Sequence, residues 1–154
     1  MTRALTALAL LGLLTGCLTA PQPLRGEFLA IDPIDGANHA GATVRWGGTI
    51  AAVEPAAGHT CFQVVGRPLG ASARPMDTDQ TTGRFLACRE GFYDPAVFVE
   101  GRELTVTGRV DGVEDREIGA YLYRHPRVDA GRLYLWPERR DTVLLTPAYR
   151  PWYW

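Results

Sequence analysis

From residue 43 onward, apolar residues fall on alternate positions and not in helical stripes. In Val44-Arg45-Trp46-Gly47-Gly48-Thr49-Ile50 the apolar members Val44, Trp46 and Ile50 are evenly spaced, which places them on one face of a strand. Gly47-Gly48 inside that run predicts a bulge or sharp bend, as at the corner of a small barrel. A turn over residues 54–58 leads to a second strand at 60–65, and a third is expected at 84–89. Between them, residues 66–83 are polar and contain Pro68 and Pro75, so they read as a long loop. The alternation is clearest in Leu104-Thr105-Val106-Thr107-Gly108-Arg109-Val110. Asp111-Gly112 is a hairpin-type signal, followed by expected strands at 118–123 and 133–136, with Pro126 and Pro137 marking strand ends. Helix is expected nowhere, beyond a short turn around residues 95–100. The pattern predicts an all-β fold: a small antiparallel barrel, OB-like, of five or six strands, with a long loop after the second strand and an aromatic C-terminal tail. An open sandwich is the alternative.

The first residues follow another logic. Residues 1–3 are short and positively charged, and residues 4–14 are almost wholly apolar. That run has the length of a signal-peptide core and is too short to span a bilayer. It ends in Leu14-Thr15-Gly16-Cys17, the lipobox pattern of bacterial lipoproteins, in which the cysteine thiol is diacylated, the leader is cut before it and the new amine is acylated. Ordinary secretory cleavage after Ala20 fits worse, with bulky Leu18 near the cut and Pro21 just past it. One acyl chain holds a protein marginally, at about 0.8 kcal/mol per buried methylene, whereas several hold it stably. Leu18 after the cysteine, where inner-membrane lipoproteins commonly carry Asp, favours the outer membrane. The organisation expected is therefore a signal peptide at 1–16, a lipidated tether at 17–27, a β-barrel domain at 28–140 and an aromatic tail at 141–154.

Composition narrows the function. About 138 residues remain after the leader, enough for one domain with a real core. The formal net charge is −1 and no basic block is present, so no nucleic-acid partner is expected. All 16 basic residues are arginine, which excludes lysine Schiff-base chemistry. Ser72 is the only serine and no G-x-S-x-G elbow exists. Neither a catalytic residue nor a cofactor is expected. With Cys17 assigned to lipid, Cys61 and Cys88 remain in an oxidising compartment, where they read as a disulfide between neighbouring strands, two buried thiols being the alternative. His39, His59 and His125 are isolated and lack metal-ligand spacing, so they are expected at the surface or in turns. Asp77 and Asp79 lie in a stretch faintly like a calcium loop whose Gly and Glu are misplaced. No metal site is expected.

Arg45, Arg84, Tyr93 and Asp94 are the candidate binding residues. Read structurally, Asp94-Pro95 initiates a turn and the arginines pair with carboxylates across the sheet. Read functionally, they form a small cleft for a carbohydrate or anionic lipid, since arginine presents a rigid fork to phosphate or carboxylate. The C-terminal Tyr149-Arg150-Pro151-Trp152-Tyr153-Trp154 suits a membrane surface or a partner, or else a cover for one barrel end.

Several pieces recur together in one known family. Arg45-Trp46-Gly47-Gly48-Thr49-Ile50, Arg67-Pro68-Leu69, Gly83-Arg84-Phe85 and Gly91-Phe92-Tyr93-Asp94-Pro95 come first. Gly101-Arg102-Glu103-Leu104-Thr105-Val106-Thr107-Gly108 and Leu133-Tyr134-Leu135-Trp136 follow in order. With the lipobox, this resembles the Slp family of outer-membrane lipoproteins over about residues 28–138. The chain departs from the family pattern at Gly70, where Asp is frequent, and at Arg124-His125-Pro126, where Tyr-Pro is frequent. The resemblance implies an outer-membrane lipoprotein linked to starvation or stress, without an established enzymatic activity; with the poverty of nucleophiles, no enzyme is expected. The expected partners are the membrane, through lipidated Cys17, and an envelope protein or glycan. The expected role is structural or partner-binding on the periplasmic face. The alternative is a periplasm-facing binding module for a small molecule, glycan or lipid head group.

Overall fold

The computed structural model describes residues 19–139, so Cys17 and the aromatic tail lie outside the described residues. Five strands follow one another: β1 (Thr43–Ala56), β2 (His59–Gly66), β3 (Gly83–Glu90), β4 (Glu103–Ile118) and β5 (Tyr121–Leu135). They form one sheet that closes on itself in the order β1-β2-β3-β5-β4. Four of the neighbouring pairs are antiparallel, as expected. The fifth departs: β3 and β5 run parallel where Leu86, Ala87 and Cys88 face Arg127, Val128 and Asp129. The reason is parity. A ring with an odd number of strands cannot alternate direction all the way round, so one pair must be parallel.

The alternating residues face inward and meet in the middle. Val44, Trp46 and Ile50 of β1, Phe62 and Val64 of β2, Phe85 and Ala87 of β3, Leu104, Val106 and Val110 of β4, and Val128 and Ala130 of β5 form one buried cluster. Burying each large apolar side chain stabilises the fold by about 1.5–3 kcal/mol. Trp46 packs edge-on to Phe85 with centroids 5.4 Å apart. Its indole Nε1–H, which would otherwise be stranded, donates to the Ile31 carbonyl at 2.7 Å.

Three strand expectations need correction. The irregularity in β1 falls between Ile50 and Ala52, not at Gly47-Gly48. Gly48 is needed for space: a Cβ there would lie 2.0 Å from the Val65 carbonyl oxygen. β4 runs straight through Asp111-Gly112, and the hairpin turn comes at Gly119-Ala120, where Gly119 takes a left-handed φ of +61°. The pair 111–112 instead lies at a register shift, and Asp111 takes a two-pronged ion pair from Arg127. The expected fifth and sixth strands are consequently one strand, β5, with Pro126 inside it. Pro126 is tolerated because pairing with β3 starts only at Arg127, so its missing N–H removes no bond to β3.

The segments outside the strands are packed on this ring. The expected long loop is present, between β2 and β3, and is pinched by a bridge between Leu69 and Pro75. A short 3₁₀ turn at Gln22–Leu24 lies in the segment read as a tether, yet Leu24 is fully buried against Ala73 and Trp136. A second 3₁₀ turn, Pro33–Asn38, precedes β1. Among the described residues no helix is long and apolar enough to cross a membrane.

Candidate functional site

The extended stretch before Pro33, and the turn that follows it, are held at three points. Leu29 N–H donates to the Thr43 carbonyl at 2.8 Å, Trp46 holds Ile31, and Ile34 N–H donates to the Thr82 carbonyl at 3.0 Å. Between this stretch, β1 and the start of the long loop lies a recess of about 430 Å³. Its floor is Trp46 and Gly47; Phe28, Leu29 and Pro68 wall it; Arg45, Arg67 and Asp32 supply the charge. Gly47 lets the loop come close, since a Cβ there would lie 2.8 Å from the Leu69 side chain and from Thr105 Oγ1.

The two arginines are positioned without being neutralised. Arg45 Nη1 donates to the Leu24 carbonyl at 3.0 Å, and its guanidinium lies 5.1 Å from the Phe28 ring centroid. Arg67 Nη1 donates to the carbonyls of Thr78 and Gln80. Arg74, Arg102, Arg116, Arg127 and Arg139 each have a carboxylate partner, whereas among the described residues Arg25, Arg84, Arg89, Arg109, Arg124 and Arg132 have none. Among the described residues neither recess arginine has one, and Asp32 has no cationic partner and makes no cap to its own turn. A half-buried guanidinium with its position fixed and its charge uncompensated suits an anionic ligand.

The remaining candidates lie elsewhere. Arg84 lines a smaller recess with Ile34, Leu122, Tyr123 and Arg124, apart from Arg45. Tyr93 packs against Phe62 and Phe98, and its backbone N–H donates to Thr60 Oγ1. Asp94 Oδ1 accepts from the Ala96 N–H at 2.8 Å, the expected turn initiation. Cys61 and Cys88 face each other across β2 and β3 and are joined in a disulfide. The histidine expectation fails at one position. His59 is exposed, but His125 is fully buried in β5, with Nδ1 2.9 Å from the Tyr123 carbonyl. Burial pushes its imidazole pKa below the usual value, and the nearby charges of Arg84 and Arg116 add to that. Among the described residues no group of three or more His, Cys, Asp or Glu side chains gathers as for a metal ion.

The family model of the outer membrane lipoprotein Slp family matches residues 14–154, starting at the first residue of the lipobox. The chain belongs to that family. It is 27% identical over 148 residues to the uncharacterized lipoprotein YeaY of Escherichia coli, covering 92% of this chain and 76% of that one. It is 34% identical over 130 residues to an uncharacterized protein of Haemophilus influenzae, covering 80% and 70%. With the outer membrane protein Slp of Escherichia coli it shares 26% over 160 residues, covering 99% and 82%. A small single-stranded DNA-binding protein of Streptomyces coelicolor superposes with a TM-score of 0.39 at 15% identity, over 62% of this chain and 94% of that one. That likeness is too low to argue from.

Within this Slp-family chain, reading the sequence found Arg45 but missed its neighbours. Arg67 stands in a family motif, Arg67-Pro68-Leu69, and that was the available signal. Asp32 and Phe28 come from an aperiodic stretch, and only the fold brings them beside Arg45.

Proposed function

We propose that this Slp-family lipoprotein is anchored in the outer membrane through acylated Cys17, with its barrel held on the periplasmic face in a structural or partner-binding role. The observation that supports this most is the burial of Leu24 so soon after the lipobox. Little free chain separates the lipid from the folded domain, so the barrel rests close to the membrane surface. The reading is non-enzymatic, and a link to starvation or stress is carried over from the family. Membrane fractionation tests the anchor: Cys17→Ser moves the protein out of the outer-membrane fraction, and unchanged sedimentation with that fraction would refute it. Protease added to intact cells tests the face, since a periplasmic barrel is cut only after the outer membrane is permeabilised.

A second reading, a binding module for a small molecule, glycan or lipid head group, is favoured by one specific observation. The recess before β1 carries two arginines without carboxylate partners.

A further inference from the structure

We propose that the recess formed by Arg45, Arg67 and Asp32 takes the phosphoethanolamine head group of a lipid in the membrane that holds Cys17. This rests on Cys17 being the acylated residue.

Charge selects the ligand class. Two guanidinium groups without carboxylate partners complement a phosphodiester, and Asp32, in the same recess and without a cationic partner, complements an ammonium group. A purely anionic head group would be repelled by Asp32; a choline head group would offer Asp32 no N–H donor. The recess volume of about 430 Å³ lies in the range of small-ligand sites. Leu29, half exposed at 49%, and Pro68 offer apolar surface for the glycerol end.

Position selects the source. Arg25 Nε donates to the Ala20 carbonyl at 2.7 Å and Nη2 to Thr19 Oγ1 at 3.3 Å, so the start of the described chain lies against Arg25. Gly26, the next residue, lines the recess. Two residues span at most about 7 Å, so covalent reach alone keeps Cys17 that close to Thr19. The polar layer of one leaflet is about 5–8 Å thick. The recess therefore lies on the part of the domain next to the lipid-bearing end of the chain, where binding a lipid of the same membrane is effectively intramolecular and a weak intrinsic affinity suffices.

The test is native mass spectrometry of the mature protein, released from nanodiscs holding equal amounts of phosphatidylethanolamine, phosphatidylglycerol and phosphatidylcholine. The expected species carries three acyl chains and one retained phosphatidylethanolamine, preferred over the other two lipids by about tenfold, the equivalent of 1.4 kcal/mol. Arg45→Ala and Arg67→Ala are expected to lose the retained lipid. Asp32→Asn, at an exposed side chain without a partner, keeps the fold and is expected to retain phosphatidylglycerol as well as phosphatidylethanolamine. A triacylated protein with no retained lipid, retention indifferent to Arg45, or a preference unchanged in Asp32→Asn overturns the head-group site alone. A mass without acyl chains overturns the anchor and the lipid source with it. In a parallel arm, soluble glycerophosphoethanolamine is expected to bind only at millimolar concentration; micromolar binding would overturn the lipid in favour of a free phosphate ester.

Discussion

Gly48→Ala is the most informative single substitution for the fold. Gly48 pairs with Gly66 of β2 on one side and Leu104 of β4 on the other, so its strand is fixed at both edges. A methyl group there would lie 2.0 Å from the Val65 oxygen, 2.7 Å from the Val65 carbonyl carbon and 2.9 Å from the Gly66 Cα. All three obstacles are backbone, so no side chain can swing aside and β1 must part from β2. Overpacking of that kind costs about 1–3 kcal/mol when side chains can adjust, and a backbone clash belongs at or above the upper end. For a domain of this size, 3 kcal/mol lowers Tm by roughly 10 °C. Gly112→Ala is the control: it too lies in a strand, but nothing stands within 4 Å of its added Cβ. There the loss of unfolded-state freedom is expected to stabilise by about 0.4–1 kcal/mol. Urea unfolding of both variants with the disulfide intact decides the matter. Gly48→Ala within about 0.5 kcal/mol of the parent, the range of harmless surface changes, would refute the close approach of β1 to β2.

Thr105→Val should cost about 2–3 kcal/mol in urea unfolding, because the buried Thr105 hydroxyl donates to the Ala73 carbonyl and accepts from Trp136 Nε1–H, and both partners would be left unsatisfied. Replacing both Cys61 and Cys88 by Ala should cost up to about 3.5 kcal/mol, the chain-entropy value for a loop closed over a separation of 27 residues. His125 has its pKa lowered in the folded state by burial, then by Arg84 and Arg116, against the Tyr123 carbonyl and Glu114, which favour the charged form. The unfolded chain therefore binds the proton first as pH falls. Its contribution is complete above about pH 6.5 and is lost below that, with a slope of at most about 1.4 kcal/mol per pH unit. His125→Gln should remove that component from the acid side of a stability–pH profile, and an unchanged profile would contradict it.

What could be read from the sequence follows from where burial imposes a pattern. Val44, Trp46 and Ile50, and Leu104, Val106 and Val110, alternate because one face of each strand fills the ring. Beyond Val110 the β4–β5 ribbon leaves the ring, and exposed Val113, Tyr121 and Leu122 stand among charged residues on both strands. On β4 no side chain past Val110 is fully buried, so nothing there imposes apolar alternation; Asp111-Gly112 looked like a turn and one strand looked like two. Pro126 misled for a related reason, since its place in β5 depends on where pairing with β3 begins. The Cys61–Cys88 pair was legible because both residues sit in strands whose register sets them opposite. The recess was half legible: Arg45 and Arg67 stand in recurring motifs, whereas Asp32 is placed by the hydrogen bonds that its neighbours Ile31 and Ile34 make with Trp46 and Thr82, far along the chain. Nothing local marked His125 as buried, because its cover comes from packing around β5.

The most direct test of the account is the intact mass of the protein extracted from the outer-membrane fraction and measured under denaturing, non-reducing conditions. The predicted polypeptide begins at Cys17, carries three acyl chains and is two hydrogens lighter than the dithiol. A polypeptide that begins elsewhere, or begins at Cys17 without acyl chains, would contradict the anchor on which the proposed function stands.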